Sequence, residues 1–365
     1  MGNKKENSFA PVIAIPPGET IKENMVFLGI TQEELAVRLG ITPKHLCNIL
    51  NGKAPITYKT ALKLESVIGP SAQFWMNLEA NYQLDKARLE EQNELNADLK
   101  LLKEIPYKEM SKLGWIEDTP DKKQQIKNLK DFFGVAQLSS IPKLYKTILY
   151  GTAFRKHKQQ KEISELGVCA WLRKAELDAQ FIKTERINRK KLKSLIPTFR
   201  QLTMEEPSTF YPKIQKLCAQ CGVALVLVEY LPKTYICGAT IWKKDKAILA
   251  LSVRGKRADI FWFTFFHEIA HLINLRKKES HISYENEEDE ADKMARNYLI
   301  PDELYYKFLK EYLYKDKKVI KDYAYKIGIA PHILVGRMLH DGLIDYRHYS
   351  DLRPSFEIVN VIPPC

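Results

Sequence analysis

Apolar positions in residues 18–69 recur three and four apart between turn signals, a pattern that predicts a series of short helices. TIKENMVFLGI has Ile21, Met25 and Leu28 at helical spacing and stops at Gly29. In TQEELAVRLGI, Thr31 is the expected N-cap, and Glu34 completes a capping box. Leu35, Ala36 and Leu39 point inward there, and Gly40 closes the helix. TPKHLCNILNG offers Thr42 as N-cap, Pro43 at the first helical position, Leu46, Ile49 and Leu50 as a buried stripe, and Asn51-Gly52 as the stop. A fourth helix is predicted over 57–67 and a longer one from 71 into the nineties. Residues 98–222 read as mostly helical, with a linker at 117–123 and a helix around 165–182. From 223 the period changes. VALVLVEYL, ICGATIW and KAILALSV predict three strands of a small sheet. In the helix that follows, ADIFWFTFFHEIAHLINL, nearly every residue from Ile260 to Leu275 is apolar except His267, Glu268 and His271, with Thr264 and Asn274 as milder exceptions. ENEEDEADKMARNYLIP, residues 285–301, regains helical spacing through Ala291, Met294, Ala295 and Tyr298.

The chain has 365 residues, 45% hydrophobic and 28% charged, a globular composition that predicts two or three domains. No apolar run reaches the roughly 20 residues of a membrane span, and the N-terminal stretch lacks a signal-peptide pattern, so no membrane partner and a cytoplasmic location are expected. Six cysteines, at 47, 169, 218, 221, 237 and 365, are too sparse for a disulfide scaffold and are expected as reduced thiols. The net charge of +12 is uneven. Residues 1–98 carry 10 basic and 12 acidic side chains, 99–266 carry 32 and 16, and 267–365 carry 15 and 17. The excess therefore lies in the middle, where the run KTERINRKKLK at 183–193 reads as a solvated face rather than a phosphate-contacting stripe.

Two short helices around a Gly-containing turn, the second beginning with a capped polar face, make a helix-turn-helix pattern. The second helix is expected in the major groove, with Thr42, Lys44, His45 and Asn48 outward and Gln32 suited to a phosphate or base contact. Backbone N–H groups at helix N-termini also hold phosphates, so a domain of net charge −2 needs no bulk positive charge to bind DNA. Residues 16–87, above all NGKAPIT and SAQFWMNLEANYQL, resemble the HigA-type antitoxins of the Xre (phage-repressor-like) helix-turn-helix family. That resemblance implies a homodimeric repressor of double-stranded operator DNA, often encoded beside a toxin that it neutralises.

His267, Glu268 and His271 form His-Glu-x-x-His. On a helix the two imidazoles lie one turn apart on the same face, where they can converge on Zn2+ with Glu268 beside the open coordination position. A third protein ligand is needed. Glu290, eighteen residues beyond His271, is the first candidate, and Glu287 its rival on the same face. Asp292 or Asp289 is a candidate for orienting a histidine N–H. WFTFFHEIAHLI, EDEADKMARNYLIP and the preceding strands resemble the ImmA/IrrE zinc metallo-endopeptidases over about residues 200–345. The resemblance implies His267, His271 and Glu290 as ligands and Glu268 as general base. ICGATIW or KAILALSV is a candidate to hold an extended substrate by β-augmentation. His332, His340 and His348 are expected to be structural rather than oxyanion helpers, and Cys218-x-x-Cys221 to pack rather than react.

The expected fold is α+β, mainly α. After a leader at 1–17, a phage-repressor-like helical DNA-binding domain at 18–95 leads through a helical middle region at 96–198 to a zincin-like domain with a small β-sheet at 199–365. The expected function is a HigA-like repressor and antitoxin of its own operon whose zinc metallo-endopeptidase-like domain cleaves or binds a regulatory protein or toxin. The alternatives are a regulatory protease localised by its helix-turn-helix, and a binding-only antitoxin with an inactive peptidase-like domain.

Overall fold

Capped helices follow one another closely from residue 18 onward in a computed structural model that describes residues 13–149, 162–252, 257–274, 280–284 and 290–356. The chain divides into two compact units, Met1–Lys100 and Leu101–Cys365. The first contains α1 (Gly18–Leu28), α2 (Gln32–Leu39), α3 (Pro43–Leu50), α4 (Tyr58–Ile68) and all but the last two residues of α5 (Ala72–Leu102). The caps form where the sequence puts them: Thr31 Oγ1 accepts from the Glu34 amide at 3.1 Å and Thr42 Oγ1 from the His45 amide at 3.2 Å. The other half of the expected capping box is spent elsewhere, because the Glu34 carboxylate takes Arg38 Nη2 at 2.5 Å. Ile21, Leu35, Leu39, Leu46, Ile49 and Leu64 form the core, and Trp75 of α5 is fully buried in it.

The same helix holds the NGKAPIT loop. The Ile56 amide donates to Glu79 Oε2 at 3.0 Å, Gln83 Nε2 donates to Glu79 Oε1 at 2.7 Å, and the Tyr82 hydroxyl reaches the Gly52 carbonyl at 3.5 Å. Glu79 is buried. Hydrogen bonds to a charged group contribute about 1.5–3 kcal/mol each, so this carboxylate fixes where the loop leaves α3.

In the second unit α6 (Tyr107–Lys112), α7 (Lys122–Phe133), α8 (Ile141–Leu144), α9 (Lys146–Leu149), α10 (Glu165–Gln180), α11 (Arg189–Ser194), α12 (Ile196–Gln201) and α13 (Pro207–Ala219) precede the sheet. The expected strands form as β1 (Val223–Val228), β2 (Ile236–Trp242) and β3 (Ala247–Ser252). They are followed by α14 (Ala258–Asn274), β4 (His281–Tyr284), α15 (Glu290–Leu299), α16 (Asp302–Glu311), α17 (Lys317–Lys326) and α18 (Pro331–His340). The strand order is β1-β3-β2-β4, with β1 parallel to β3 and the other two pairings antiparallel. β1 and β3 are buried along almost their whole length, as their unbroken apolar runs require. β3 is interior and β2 has β4 along its other side, so neither strand expected to receive an extended peptide has an open edge.

α14 is clamped by aromatic packing. Phe265 meets Phe199 with ring centroids 5.2 Å apart, and Trp262 meets Phe210 at 4.7 Å. Both Cys218 and Cys221 are buried, and burial raises both thiols above their ordinary range, which disfavours the reactive thiolate. Glu287, Asp289 and Cys365 lie outside the described residues. No helix among the described residues is long and apolar enough to cross a membrane.

Candidate nucleic-acid interface and metal centre

At the start of α3, Thr42, Lys44 and His45 are exposed, Asn48 is half-buried, and Leu46 and Ile49 are in the core. Gln32, the first residue of α2, is half-buried. The split follows from the helical period: a core stripe at 46, 49 and 50 leaves 44 and 45 on the outer side. The backbone carbonyl of Asn48 accepts from the Lys53 and Ala54 amides at 2.8 and 3.1 Å, which ties the end of α3 to the loop that Glu79 holds. The N-terminus of α3, capped by Thr42, carries a hydroxyl, an ammonium and an imidazole.

The polar residues of α14 are drawn into a buried cluster. His267 and His271 approach through their Nε2 atoms at 2.9 Å, and His267 Nδ1 meets Asp292 Oδ1 of α15 at 2.6 Å. His281 of β4 packs on His271 with ring centroids 4.2 Å apart. One ring nitrogen from each of His267, His271 and His281 lies within 4.8 Å of the others. Burial, reinforced by His281 and His267, pushes the His271 imidazole down to about 2, so it is held neutral.

Glu268 is fully buried. Its Oε2 accepts from Thr240 Oγ1 of β2 at 2.7 Å and its Oε1 from Ser283 Oγ of β4 at 2.6 Å. Gly238 makes room for it, because a Cβ there would stand 2.7 Å from Glu268 Oε1. Glu290 stands outside the histidine group, with its side chain 81% exposed and 3.7 Å from Lys293 Nζ. His332 is buried, whereas His340 and His348 are exposed, and none of the three belongs to the group.

Residues 21–74 match the helix-turn-helix family, and residues 225–332 match the IrrE N-terminal-like domain, a peptidase M78 family. The HTH-type transcriptional regulator YddM of Escherichia coli is 38% identical over 71 residues, which are 20% of this chain and 76% of that protein. The chain belongs to the Xre-type helix-turn-helix family and carries an IrrE-type peptidase domain. Among solved structures, the HigA-family addiction module antidote protein of Coxiella burnetii is 33% identical and covers 23% of this chain and 92% of its own, with a TM-score of 0.21. Antitoxin HigA of Pseudomonas aeruginosa, solved with the higBA promoter, is 29% identical over 22% of this chain and 89% of its own, also with a TM-score of 0.21.

A metal is expected of an IrrE-type domain, and the donor set fits one. Nitrogens bound to one tetrahedral zinc stand ~3.3 Å apart, close to the 2.9 Å between His267 and His271. Asp292 orients His267 as carboxylates orient metal-bound histidines. Sequence reasoning named His267, His271, Glu268 and Asp292 but missed His281, Thr240 and Ser283. The alternation in HISY, bounded by polar residues, is a strand signal that would have put His281 and Ser283 on one face.

Proposed function

We propose that the protein is a transcriptional repressor and antitoxin of the HigA type that reads operator DNA as a homodimer and carries a zinc peptidase-like domain as its regulatory arm. The observation that carries the DNA reading is the exposed, capped N-terminus of α3, with Thr42, Lys44 and His45 outward and Asn48 half-buried one turn on, while Gln32 is half-buried at the first turn of α2. Lys44 is suited to a guanine edge or a phosphate, and Asn48 to adenine. The test is binding to the chain's own promoter by the full chain. Lys44→Ala with Asn48→Ala is expected to weaken it by at least tenfold, since each lost base contact costs about 1–3 kcal/mol. Unchanged specific binding would reject α3 as the reading helix.

In the second unit, zinc would be held by His267 and His271, with His281 or Glu290 as the third ligand. When bound it would supply a Lewis acid to polarise water and a peptide carbonyl. Asp292 holds the His267 ring, and Glu268 is the candidate base, its proton passing between water and the leaving amine. A binding-only role is favoured by one observation: both Glu268 oxygens are already engaged by Thr240 and Ser283. Glu268→Gln separates the two readings. A protease loses toxin-related or autoregulatory activity in cells while keeping its metal, whereas a binding-only antitoxin keeps both.

A further inference from the structure

Where β2 pairs with β4, Thr240 stands opposite His281 and Gly238 opposite Ser283. Side chains alternate along a strand, so Gly238 and Thr240 share one face of β2, and His281 and Ser283 share one face of β4. α14 lies against that face. Thr240 Oγ1 and Ser283 Oγ donate to Glu268, Gly238 leaves room for its carboxylate, and His281 packs on His271. The two strands are secured differently. β2 is paired on its other side with β3 from Gly238 to Trp242, whereas β4 has four residues and, among the described residues, pairs with β2 alone. Next to the strand, Ser280 Oγ accepts from the Trp242 amide at 3.0 Å, and within it Ile282 is buried. The other anchors of β4 are the two side chains that face α14, His281 on the histidine pair and Ser283 on Glu268.

One short strand thus carries both a ring nitrogen of the histidine group and a hydroxyl that holds the candidate base. We infer that β4 couples the two: a metal taken by His281 together with His267 and His271 fixes the strand, and the fixed strand keeps Ser283 on Glu268 Oε1. Ser283 is then a positioning residue for Glu268 whose hold depends on the metal. Thr240 supplies the constant half of that hold, because β3 secures β2 with or without a metal. The inference rests on the metal reading proposed above, with His281 as the third ligand. A metal shifts the docking of β4 only by the difference between its affinities for the docked and the undocked strand. Pairing of a short strand on one side is marginal by itself, so β4 is where such a difference shows. With free Zn2+ at 100 times Kd, docking would gain about 100-fold if the undocked form bound no metal, and at least about tenfold if the two histidines of α14 keep part of the affinity.

Hydrogen exchange of the full chain, stripped with chelator and measured with and without Zn2+, tests this, with bound zinc counted by equilibrium dialysis in the same samples. Zinc is expected to slow exchange at residues 280–284 by at least about tenfold. Exchange at 223–228, the strand at the opposite edge of the sheet, should not change. His281→Ala is expected to remove the slowing. With zinc bound, Ser283→Ala should speed exchange at 280–284 by at least about tenfold, since a hydrogen bond to a carboxylate is lost, whereas Thr240→Val leaves it as it was. Zinc near one equivalent with exchange at 280–284 unchanged, or slowed equally at 223–228, overturns the coupling and leaves the metal site standing. So does slowing that survives in His281→Ala. Exchange in Ser283→Ala equal to that of the unaltered chain overturns the hold on Glu268. No bound zinc removes the metal reading and the coupling with it.

Discussion

Glu290 and His281 carry competing claims to complete the metal site, and single side chains decide between them. Glu290 pairs with Lys293 in solvent, whereas His281 packs on His271 inside the cluster. Metal content under chelator competition should therefore fall at least tenfold in His281→Ala and stay unchanged in Glu290→Ala; the opposite ranking would restore the glutamate as ligand. A second residue-scale consequence concerns acid. Burial pushes His332 down to about 4, with Asp259 raising it and Arg353 lowering it as smaller influences, so the folded unit keeps His332 neutral. The unfolded chain takes up that proton near pH 6.5. Stability is thus lost as pH falls from about 6.5 to 4, with a ceiling of about 3 kcal/mol at 1.36 kcal/mol per unit. Urea unfolding at pH 7 and pH 4.5 checks this: the difference should shrink in His332→Phe, and an equal difference would remove His332 as the cause. The His-Glu-x-x-His residues were legible because three polar side chains in an apolar helix must find partners. Thr240 and Ser283 were not, since a hydroxyl in a strand carries no signal until the strand's neighbour is known.

At the scale of elements, the capped helices of the first unit follow their sequence closely. Thr31 and Thr42 cap where expected because the cap bond spans only three residues. What makes NGKAPIT and SAQFWMNLEANYQL a matched pair is longer in range: Glu79 of α5 receives the Ile56 amide across 23 residues. Removing that carboxylate strands a buried donor, so Glu79→Ala is expected to cost about 1–3 kcal/mol. Hydrogen exchange should be accelerated selectively at the Ile56 amide, and exchange there as slow as in the unaltered chain would show the bond to be dispensable. In the second unit β4 escaped the reading because its four residues are the shortest alternation that periodicity resolves and stand between two charged runs. Its pairing with β2 also closes the edge expected to receive a substrate.

For the molecule as a whole, charge is the feature most easily misread. Residues 99–266 carry an excess of 16 positive charges, outside the segment of α3, and part of it is exposed on 183–193. Lys191 donates to the Gln220 carbonyl at 3.2 Å and Arg189 lies 5.1 Å over the Trp242 ring, so part of this run serves the fold of its own unit. Replacing Lys183, Arg186, Lys190 and Lys193 by Gln is expected to leave the salt dependence of promoter binding unchanged. If those four touched phosphates, the slope of log affinity against log salt would drop by about 0.9 for each.

The sequence alone determined what depends on short range: the capped helices, the exposed face of α3, the apolar strands and the paired histidines one turn apart. Hydrogen bonds and side-chain spacings within a few residues act before any tertiary contact exists. Only the tertiary structure decided which residues meet across long separations. It brought His281 and Ser283 to α14, set Thr240 and Gly238 against Glu268 and left Glu290 in solvent. Those outcomes depend on strand order, register and helix packing, which follow from burial of the whole core rather than from any local pattern.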